Sequence, residues 1–515
     1  MKFILYTLFC LSLFAPLLAQ EPVAPKPLSE LAQATLNLQT KEKPEERADA
    51  ASYLGTLGDG KAVPALIEAM LKDEPVVCQA CALALLELND RRAVPALLQA
   101  LAKQQRDPKI AAGILKALIH FADPAMKEAL LAILNDSQMA LATRLLALDG
   151  LEALNDPSIG PQLLPWITNT DQLELTGRAA RLAGKLRVRE AIPPLINLLD
   201  HPNARCRIIA AQALGMMQDK NTMAFLGRAI LKGKYPDQLA AMDALGQLRL
   251  PVLFDTFAPM IRSNDAIMRA HAATALGTCG NTAAVPLLVT ALGDDNAGVR
   301  SAAATALGAY GQPAQEAVLP LLGDGYAEKR TAAAKALGCL GRPEAAPELA
   351  KRLADADLTV RDAAITALGR LGAGICDDVL PLVKSDQPGV RAGAAEVLGR
   401  ITATAAIPEL TALQNDADPT VRQWAIFALG EMPQVELDAV VRGLQDNNPA
   451  VRIAAARVVG AHRLIRVSRL LLHMLANGTQ QERTIAYATL RSFTGYYIGD
   501  SYSVWEEWVT QHEKQ

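Results

Sequence analysis

The stretch NAGVRSAAATALG (residues 296–308) contains one Arg and one Gly eight residues apart, and close variants of it recur along the chain. The variants include MRAHAATALG, KRTAAAKALG, VRDAAITALG, VRAGAAEVLG, VRQWAIFALG and VRIAAARVVG. The Arg recurs every 30 or 31 residues from Arg269 to Arg483. Self-similarity at a period of this length indicates a repeat architecture in which each repeat is one supersecondary unit.

Each repeat contains two helical patterns. In AVPLLVTALGDD (284–295), a Pro near the start precedes apolar residues at helical spacing, and the first helical turn is where Pro is tolerated best. The second pattern has apolar residues at positions −1, +2, +3, +6 and +7 from the Arg. We expect this stripe to be buried and positions +1, +5 and +8 to lie outside. Pro286, Pro347 and Pro408 lie 61 residues apart, so a pair of repeats was duplicated here.

The earlier repeats are degenerate but keep the same phase, as Arg47 with Gly55 and Arg207 with Gly215 show. About 15 helix pairs can be counted, and no alternating strand pattern interrupts them. Because a single pair cannot bury its own apolar face, neighbouring pairs must stack. The sequence therefore predicts an all-α fold, an α-solenoid (armadillo-like superhelix) of about 15 helix pairs of 30–31 residues, over residues 28–493.

The pattern resembles HEAT repeats, specifically the short type named after phycobilin lyase subunits. The matching motif is a Pro in the first helix, then Asp, then Val-Arg, then Ala-Ala-x-Ala-Leu-Gly or a close variant, as in residues 286–308, 347–369 and 408–430. The resemblance implies an α-solenoid over nearly the whole chain. It implies little about activity, because this scaffold carries unrelated functions.

The two ends of the chain depart from the repeat. Residues 1–19 hold one Lys, an apolar run and Ala19, the outline of a secretory signal peptide. We therefore expect export to the periplasm or the extracellular space, with an uncleaved N-terminal anchor as the alternative. Residues 20–27 are predicted to form a Pro-rich linker, and residues 494–515 an aromatic C-terminal cap over the last apolar face.

Composition narrows the classes of partner. The formal net charge of −3 provides no electrostatic footprint for nucleic acid. After the signal peptide, no run of roughly 18 apolar residues predicts a membrane span. Six cysteines remain, too few for a disulfide framework, and their positions in the repeat favour buried free thiols. Cys78 and Cys81 form a CxxC within a helix, without the second ligand pair that a zinc site needs.

Two families of helical-repeat enzymes supply an alternative function. Deoxyhypusine hydroxylase is a HEAT-repeat di-iron enzyme whose ligands come from His-Glu pairs, whereas this chain has a single His-Glu step, at 512–513. Phycobilin lyases act on pigment proteins inside the cell, and a signal peptide argues against that setting. No nucleophile motif such as GxSxG is present. We therefore predict no enzyme activity and no cofactor, with an enzyme or enzyme subunit of these two types as the alternative.

The Arg column has two interpretations, a structural ladder or an anion-binding stripe. Asp residues lie six positions before several of the Arg residues, which places a carboxylate in the turn ahead of the second helix. A ladder to a guanidinium of the same or the next repeat is favoured, because a charge paired in every repeat is not free for a ligand. The predicted ladder residues are Asp294, Arg300, Asp324, Arg330, Asp355, Arg361, Asp416, Arg422, Asp446 and Arg452.

The Gly column also predicts construction. Gly277 and Gly308 fall near the ends of second helices, where a missing side chain permits close approach of the neighbouring repeat. A further Gly follows three residues later in several repeats, as at Gly280, and predicts a left-handed helix stop.

With the repeated residues assigned to the scaffold, function is sought where the columns change. The predicted function is a non-catalytic protein-protein interaction scaffold that binds partners of unknown identity on the curved surface of the solenoid. Phe427 is the only aromatic residue in columns +1 and +5 of the later repeats, and aromatic and Arg residues lead in binding hot spots. The candidate partner-binding residues are Trp424, Phe427, Ile453, Arg457, Trp505 and Trp508.

Overall fold

A computed structural model describes residues 29–232, 235–433, 437–494 and 502–512 of the chain. These residues form 31 α-helices and sixteen short 3₁₀ helices, and no strand occurs among them. The predicted signal peptide (1–19) and linker (20–27) lie outside the described residues.

The chain divides into two compact units between Ala191 and Ile192. The α-helices of the first unit are α1 (Glu30–Thr40), α2 (Pro44–Thr56), α3 (Val63–Lys72), α4 (Pro75–Glu87), α5 (Val94–Gln104), α6 (Pro108–Phe121), α7 (Lys127–Asn135), α8 (Leu141–Leu154), α9 (Gly160–Thr168) and α10 (Leu173–Lys185).

The second unit contains the regular repeats. Its α-helices are α11 (Ile192–Leu198), α12 (Ala204–Met217), α13 (Met223–Lys232), α14 (Tyr235–Gln247), α15 (Phe254–Phe257), α16 (Ala266–Cys279), α17 (Ala284–Ala291), α18 (Ala297–Leu307), α19 (Gly311–Val318), α20 (Ala327–Leu340), α21 (Ala346–Lys351), α22 (Leu358–Leu371), α23 (Cys376–Val379), α24 (Pro388–Arg400), α25 (Ile407–Ala412), α26 (Pro419–Gly430), α27 (Leu437–Leu444), α28 (Pro449–Ala461), α29 (Ser468–Asn477), α30 (Gln480–Thr494) and α31 (Tyr502–His512).

Within the described residues the helices form fifteen consecutive pairs, from α1 with α2 to α29 with α30, and α31 follows them. Within each unit, the second helix of a pair packs on the second helix of the next pair, as α2 packs on α4 and α16 on α18. First helices also stack, as α17 does on α19. The predicted all-α solenoid is confirmed. The predicted bounds of a single array over residues 28–493 stay a prediction.

Local sequence explains where the paired helices begin and end. Asn296 precedes α18, and its side chain accepts hydrogen bonds from the backbone N–H groups of Gly298 and Val299. This contact satisfies two of the donors that a helix start leaves open. Several short first helices continue as a 3₁₀ turn, as α19 does in Leu319–Gly323. Each pair therefore fits into a repeat of 30 or 31 residues.

The buried side of the second helices is wider than the sequence predicted. In α18, Val299, Ala303 and Leu307 are buried as expected. Ala304, at position +4, is buried as well, whereas Ala302, at +2, is only partly buried. The reason is that α18 packs against its own first helix and against the second helices on both sides, so in the middle of α18 only positions +1 and +5 remain exposed.

The glycine column permits the close contact between second helices. A Cβ atom added to Gly277 would lie 2.6 Å from the Cβ atom of Ala306 in the next repeat. Such a distance is too short for two carbon atoms, so this position requires glycine. Gly280 has a φ of 73° and ends α16 in the left-handed region. Both expectations for the glycines are confirmed.

The last helix covers the end of the second unit. Helix α31 packs on α29, in the place that the first helix of another pair would occupy. The Trp505 side chain is completely buried and lies 5.9 Å from the Tyr487 ring, centroid to centroid. Trp508 is partly buried and stacks on Phe493 at 6.3 Å. These contacts support the predicted cap over residues 494–515, of which residues 495–501 and 513–515 lie outside the described part.

The six described cysteines are free thiols. Four of them are buried, as expected, and Cys339 and Cys376 are partly exposed. Burial raises the pKa of Cys78 to about 11 and raises the pKa of Cys81 as well. Thiols with raised pKa values hold little thiolate at neutral pH, so the CxxC stretch is unreactive and belongs to the core.

Candidate binding groove

The Arg column forms a ladder in which the Arg of one repeat binds a carboxylate of the next repeat. Arg391 donates from Nε and Nη2 to the two carboxylate oxygens of Asp416, at 2.7 and 2.8 Å. Its Nη1 atom donates to the backbone carbonyl of Ser385 in its own turn, at 2.8 Å. One guanidinium therefore holds two successive turns together. The same two-sided arrangement occurs at Arg47, Arg207, Arg269, Arg330, Arg422 and Arg452.

Of the two predicted partners of a ladder Arg, a carboxylate of its own repeat or one of a neighbouring repeat, the structure shows the neighbouring one. The Arg binds the backbone carbonyl of the Asp six residues before it, as Arg300 does at Asp294 over 2.7 Å. The helix start turns the Asp side chain toward the preceding repeat, where Arg269 binds it at 2.7 Å. Asp324 departs further, since its carboxylate lies 3.6 Å from Lys329 and forms no salt bridge with Arg300.

Ladder contacts shift the pKa values of the carboxyl groups. The hydrogen bond from Arg391 is the main reason that the pKa of Asp416 lies below its ordinary value of 3.8, and burial opposes the shift. Similar bonds lower the pKa values of Asp294 and Asp355. The carboxylates are therefore charged and paired at neutral pH, and the interpretation as a scaffold is favoured over an anion-binding stripe.

The other end of the second helices forms an open groove around Trp424 and Phe427. The two rings lie 5.6 Å apart, centroid to centroid, and are tilted by 56°. They line a groove of about 760 Å³ that crosses α22, α24 and α26. The other lining residues are Thr366, Gly369, Arg370, Glu396, Gly399, Arg400, Ala428 and Glu431. The structure thus brings two of the predicted partner-binding residues together.

Two glycines form part of the groove floor. Gly369 and Gly399 belong to the column that allows second helices to approach each other, and both line the groove. A Cβ atom at Gly399 would lie 2.7 Å from the Cα atom of Ala428. Because Gly369 and Gly399 have no side chains, the floor of the groove stays open. The side chains of the neighbouring residues form its walls.

The remaining predicted partner residues do not line this groove. Ile453 is partly buried and Arg457 is exposed in the next repeat. Trp505 offers no surface to a partner because its side chain is completely buried. Trp508 stacks on His512 at 4.5 Å and on Phe493 within the cap. The binding role predicted for these four residues stays a prediction, and for Trp505 the structure favours the cap.

A second groove occupies the same columns in earlier repeats of the second unit. It has a volume of about 570 Å³ and is lined by Asp243, His271, Thr274 and Thr278 among others. The His271 Nδ1 atom lies 2.7 Å from an oxygen of Asp243. The sequence pattern does not single out this groove, because His and Asp are common on exposed helix faces. The sequence feature that could have indicated this groove is the position of Asp243 and Thr274 in the +5 column, which faces outward.

A metal site is not assembled in the described part of the chain. No group of three or more His, Cys, Asp and Glu residues there could hold a metal ion. Every helix described is too short or too polar to cross a lipid bilayer. What the Trp424 groove provides is an aromatic surface with charged walls, which suits the binding of another molecule.

Repeated helix pairs, the ladder and the glycine contacts define the class of protein as an α-solenoid. The profile of HEAT repeats matches residues 31–107, 160–246, 254–329, 315–381, 360–430 and 407–491. These matches extend over most of the sequence, and the chain belongs to the HEAT-repeat family. A comparison with curated proteins produced no match.

Several solved structures resemble the chain. Yeast importin-β (Kap95p) is 13% identical, with 95% of this chain and 79% of that chain covered and a TM-score of 0.48. The karyopherin Kap121p bound to Pho4p is 13% identical, with 91% and 71% covered and a TM-score of 0.46. The CpcE–CpcF complex of phycocyanin lyase from Nostoc sp. PCC7120 is 24% identical, with 48% and 93% covered and a TM-score of 0.31. These likenesses concern the fold alone.

Proposed function

We propose that this protein is a non-catalytic scaffold that binds an extended segment of a partner protein in the groove at Trp424 and Phe427. The observation that carries the proposal is the pairing of two aromatic rings in a groove that crosses three repeats. Single apolar residues on a surface are common and have no special meaning. Two adjacent aromatic side chains in a concave site with charged walls match the composition of binding hot spots.

The walls of the groove support a protein ligand over a small molecule. Arg370, Arg400, Glu396 and Glu431 place both signs of charge along an open surface. An open groove leaves much of a small ligand in water, whereas small-molecule sites bury most of their ligand. An extended segment can contact all three helices at once. The groove therefore favours a polypeptide chain that lies across α22, α24 and α26.

Export is part of the same proposal and rests on residues 1–19. Their single Lys, apolar run and terminal Ala support a signal peptide, which would place the partner in the periplasm or outside the cell. N-terminal sequencing of the protein recovered from the cell envelope tests this. A mature chain that begins at Gln20 is expected. A chain that still begins at Met1 would show an uncleaved anchor.

The binding proposal is tested by affinity capture from the native envelope fraction. Full-length wild-type protein and Phe427→Ala are immobilised side by side, and the captured proteins are compared quantitatively. Loss of a hot-spot ring should reduce the affinity for the partner roughly thirtyfold, so its recovery should fall sharply.

Tyr326→Ala is the matched control, because Tyr326 is an aromatic residue of the same unit that is 68% exposed and does not line the groove. It should capture the partner as well as wild type does. Equal capture by the wild type and Phe427→Ala would sink the proposal.

A further inference from the structure

We infer that the groove selects a segment with a Lys or Arg side chain at the Trp424 end and an Asp or Glu side chain about five or six residues away, at the Arg370 end. This inference rests on the proposed function and adds the chemistry of the partner. It follows from how charge is distributed along α22, α24 and α26.

The Trp424 end is built for a cation. Trp424, Phe427 and Glu431 follow each other at intervals of three and four residues, so they share one side of the helix end. The faces of aromatic rings attract cations, and Trp does so best. Glu431 adds a carboxylate one turn beyond Phe427, to whose carbonyl its backbone N–H donates at 3.1 Å.

The position of Glu431 makes a cationic partner more favourable still. It follows the last residue of α26, where the helix dipole is negative and a carboxylate is unfavourable on its own. Glu431 is exposed and forms no salt bridge within the described residues. His462 lies nearby and contacts the carbonyl of Gly430 at 2.7 Å from Nε2. An incoming ammonium or guanidinium group would compensate both the carboxylate and the helix end.

The charges in the middle of the groove compensate each other. Arg400 donates to Glu396 from Nη2 at 2.7 Å and from Nε at 3.1 Å. The two charges compensate each other within one helix, so this part of the groove has no preference for either sign. Selection by charge is therefore expected at the two ends.

The Arg370 end is built for an anion. Arg370 is exposed, and its Nη1 atom contacts the sulfur of Cys339 at 3.5 Å, a weak acceptor. Among the described residues it forms no salt bridge with a carboxylate. Thr366 lies beside it in the groove wall and offers a hydroxyl group. A carboxylate of the partner would satisfy the guanidinium with charge-assisted hydrogen bonds.

The spacing of the two ends sets the length of the segment. Arg370, Arg400 and Glu431 occupy the same position, nine residues after the ladder Arg, in three successive repeats. Packed helices lie about 8–10 Å apart, so the two ends are separated by roughly 16–20 Å. An extended chain advances about 3.3 Å per residue, so five or six residues span this distance.

Selection from a phage-displayed library of random dodecapeptides on immobilised full-length protein tests the inference. Peptides that bind wild type and are lost with Phe427→Ala should carry Lys or Arg with Asp or Glu five or six positions away. Glu431→Lys should exchange the preferred Lys or Arg for Asp or Glu. Arg370→Glu should exchange the preferred acid for a base at the other end. Lys384→Glu, a charge reversal at an exposed residue outside the groove, should leave the selected pattern unchanged.

Synthetic copies of the selected peptides supply the affinity. Glu431→Gln should weaken their binding about fivefold, and a peptide with an acid in place of its base should bind Glu431→Lys better than wild type. Peptides that depend on Phe427 but show no charge pattern would overturn this inference and leave the proposed function standing. Recovery of no peptide that depends on Phe427 would count against both. Melting curves of Glu431→Lys and Arg370→Glu, both changes at exposed positions, confirm that these variants are folded.

Discussion

The second helices from α16 to α28 carry two kinds of polar surface, one at each end. At their N-terminal turns the same Arg recurs, and in most repeats it binds a carboxylate of the next turn, as Arg391 binds Asp416. At their C-terminal turns the residues change from repeat to repeat, and Arg370 and Glu431 form no salt bridge within the described residues. The repeated charges therefore join successive turns, whereas Arg370 and Glu431 at the other end take no part in the ladder.

The two grooves sharpen the same comparison. The groove at His271 and the groove at Trp424 are formed by equivalent columns of different repeats. One carries a His–Asp pair, and the other carries two aromatic rings. The shape of this face thus comes from the repeat, and its chemistry comes from the residues that differ. Stability and binding should consequently respond to different substitutions.

The largest effect on stability is expected where the repeated construction ends. Trp505→Ala removes a completely buried indole from the core under α31 and should lower the free energy of unfolding by about 4 kcal/mol. Urea denaturation and hydrogen exchange of α29 and α30 measure it. Trp508→Ala is the control, and its effect should be smaller because that ring is only partly buried. Equal effects of the two substitutions would contradict the assigned cap.

Removal of a two-sided ladder Arg should be nearly as severe. Arg391→Gln breaks the bonds to Asp416 and to its own turn and should destabilise the protein by about 3 kcal/mol, because it leaves a largely buried carboxylate unpaired. Arg300→Gln loses bonds to two carbonyl groups and no ion pair, and should cost about 1 kcal/mol. Urea denaturation measures the free energy of unfolding of both variants. Equal decreases would refute the assigned pairing of Arg391 with Asp416.

Filling the contact between second helices should have an intermediate effect. A Cβ atom at Gly338 would lie 2.8 Å from the Cα atom of Ala367, so Gly338→Ala should destabilise by about 2 kcal/mol through forced displacement of α22. Gly389→Ala is the matched control, since nothing lies within 4 Å of its added Cβ atom. That variant should be as stable as wild type or slightly more stable. Thermal melting distinguishes the two.

Acid should weaken the ladder in a defined direction. Guanidinium groups hold the pKa values of three carboxyls below the ordinary Asp value: Asp294, Asp355 and Asp416. Groups with a lowered pKa in the folded state stabilise it fully above the unfolded pKa of about 4, and this contribution disappears as pH falls through the folded-state values. The urea concentration at the midpoint of unfolding should therefore decrease as the pH falls below about 4. Asp416→Asn should show a shallower drop, and an unchanged slope would exclude Asp416 as a contributor.

The smallest effect on stability belongs to the groove. Glu431→Gln should change the free energy of unfolding by less than about 0.5 kcal/mol, because Glu431 is exposed and forms no ion pair within the described residues. Phe427→Ala should cost about 1 kcal/mol, since the ring packs partly against the core of the last repeats. Both variants should nevertheless lose affinity for the selected peptides. If Glu431→Gln destabilised the protein as much as Arg391→Gln, the C-terminal turns of the second helices would contribute to stability as the ladder does, contrary to this comparison.

Much of this fold could be predicted because the same pattern of buried residues and glycines recurs in many repeats. The period, the two helices per repeat and the glycine contacts all follow from columns of residues such as Gly277 and Gly308. The single positions were harder. Trp505 and Trp424 are both tryptophans in apolar patterns, yet one is completely buried and the other lines a groove. Helical periodicity alone does not distinguish them, because burial depends on which helix covers the residue.

By itself, the sequence determined the all-α repeat, the two helices of each pair and the recurrence of the Arg column, since these depend on local spacing and on side-chain chemistry. Only the tertiary structure decided that Arg391 binds Asp416 of the next repeat, and that Arg370, Phe427 and Glu431 share one groove. The reason is geometric. Residues about 30 positions apart meet according to the offset and rotation between stacked helices, and that packing is set by the summed contacts of whole repeats.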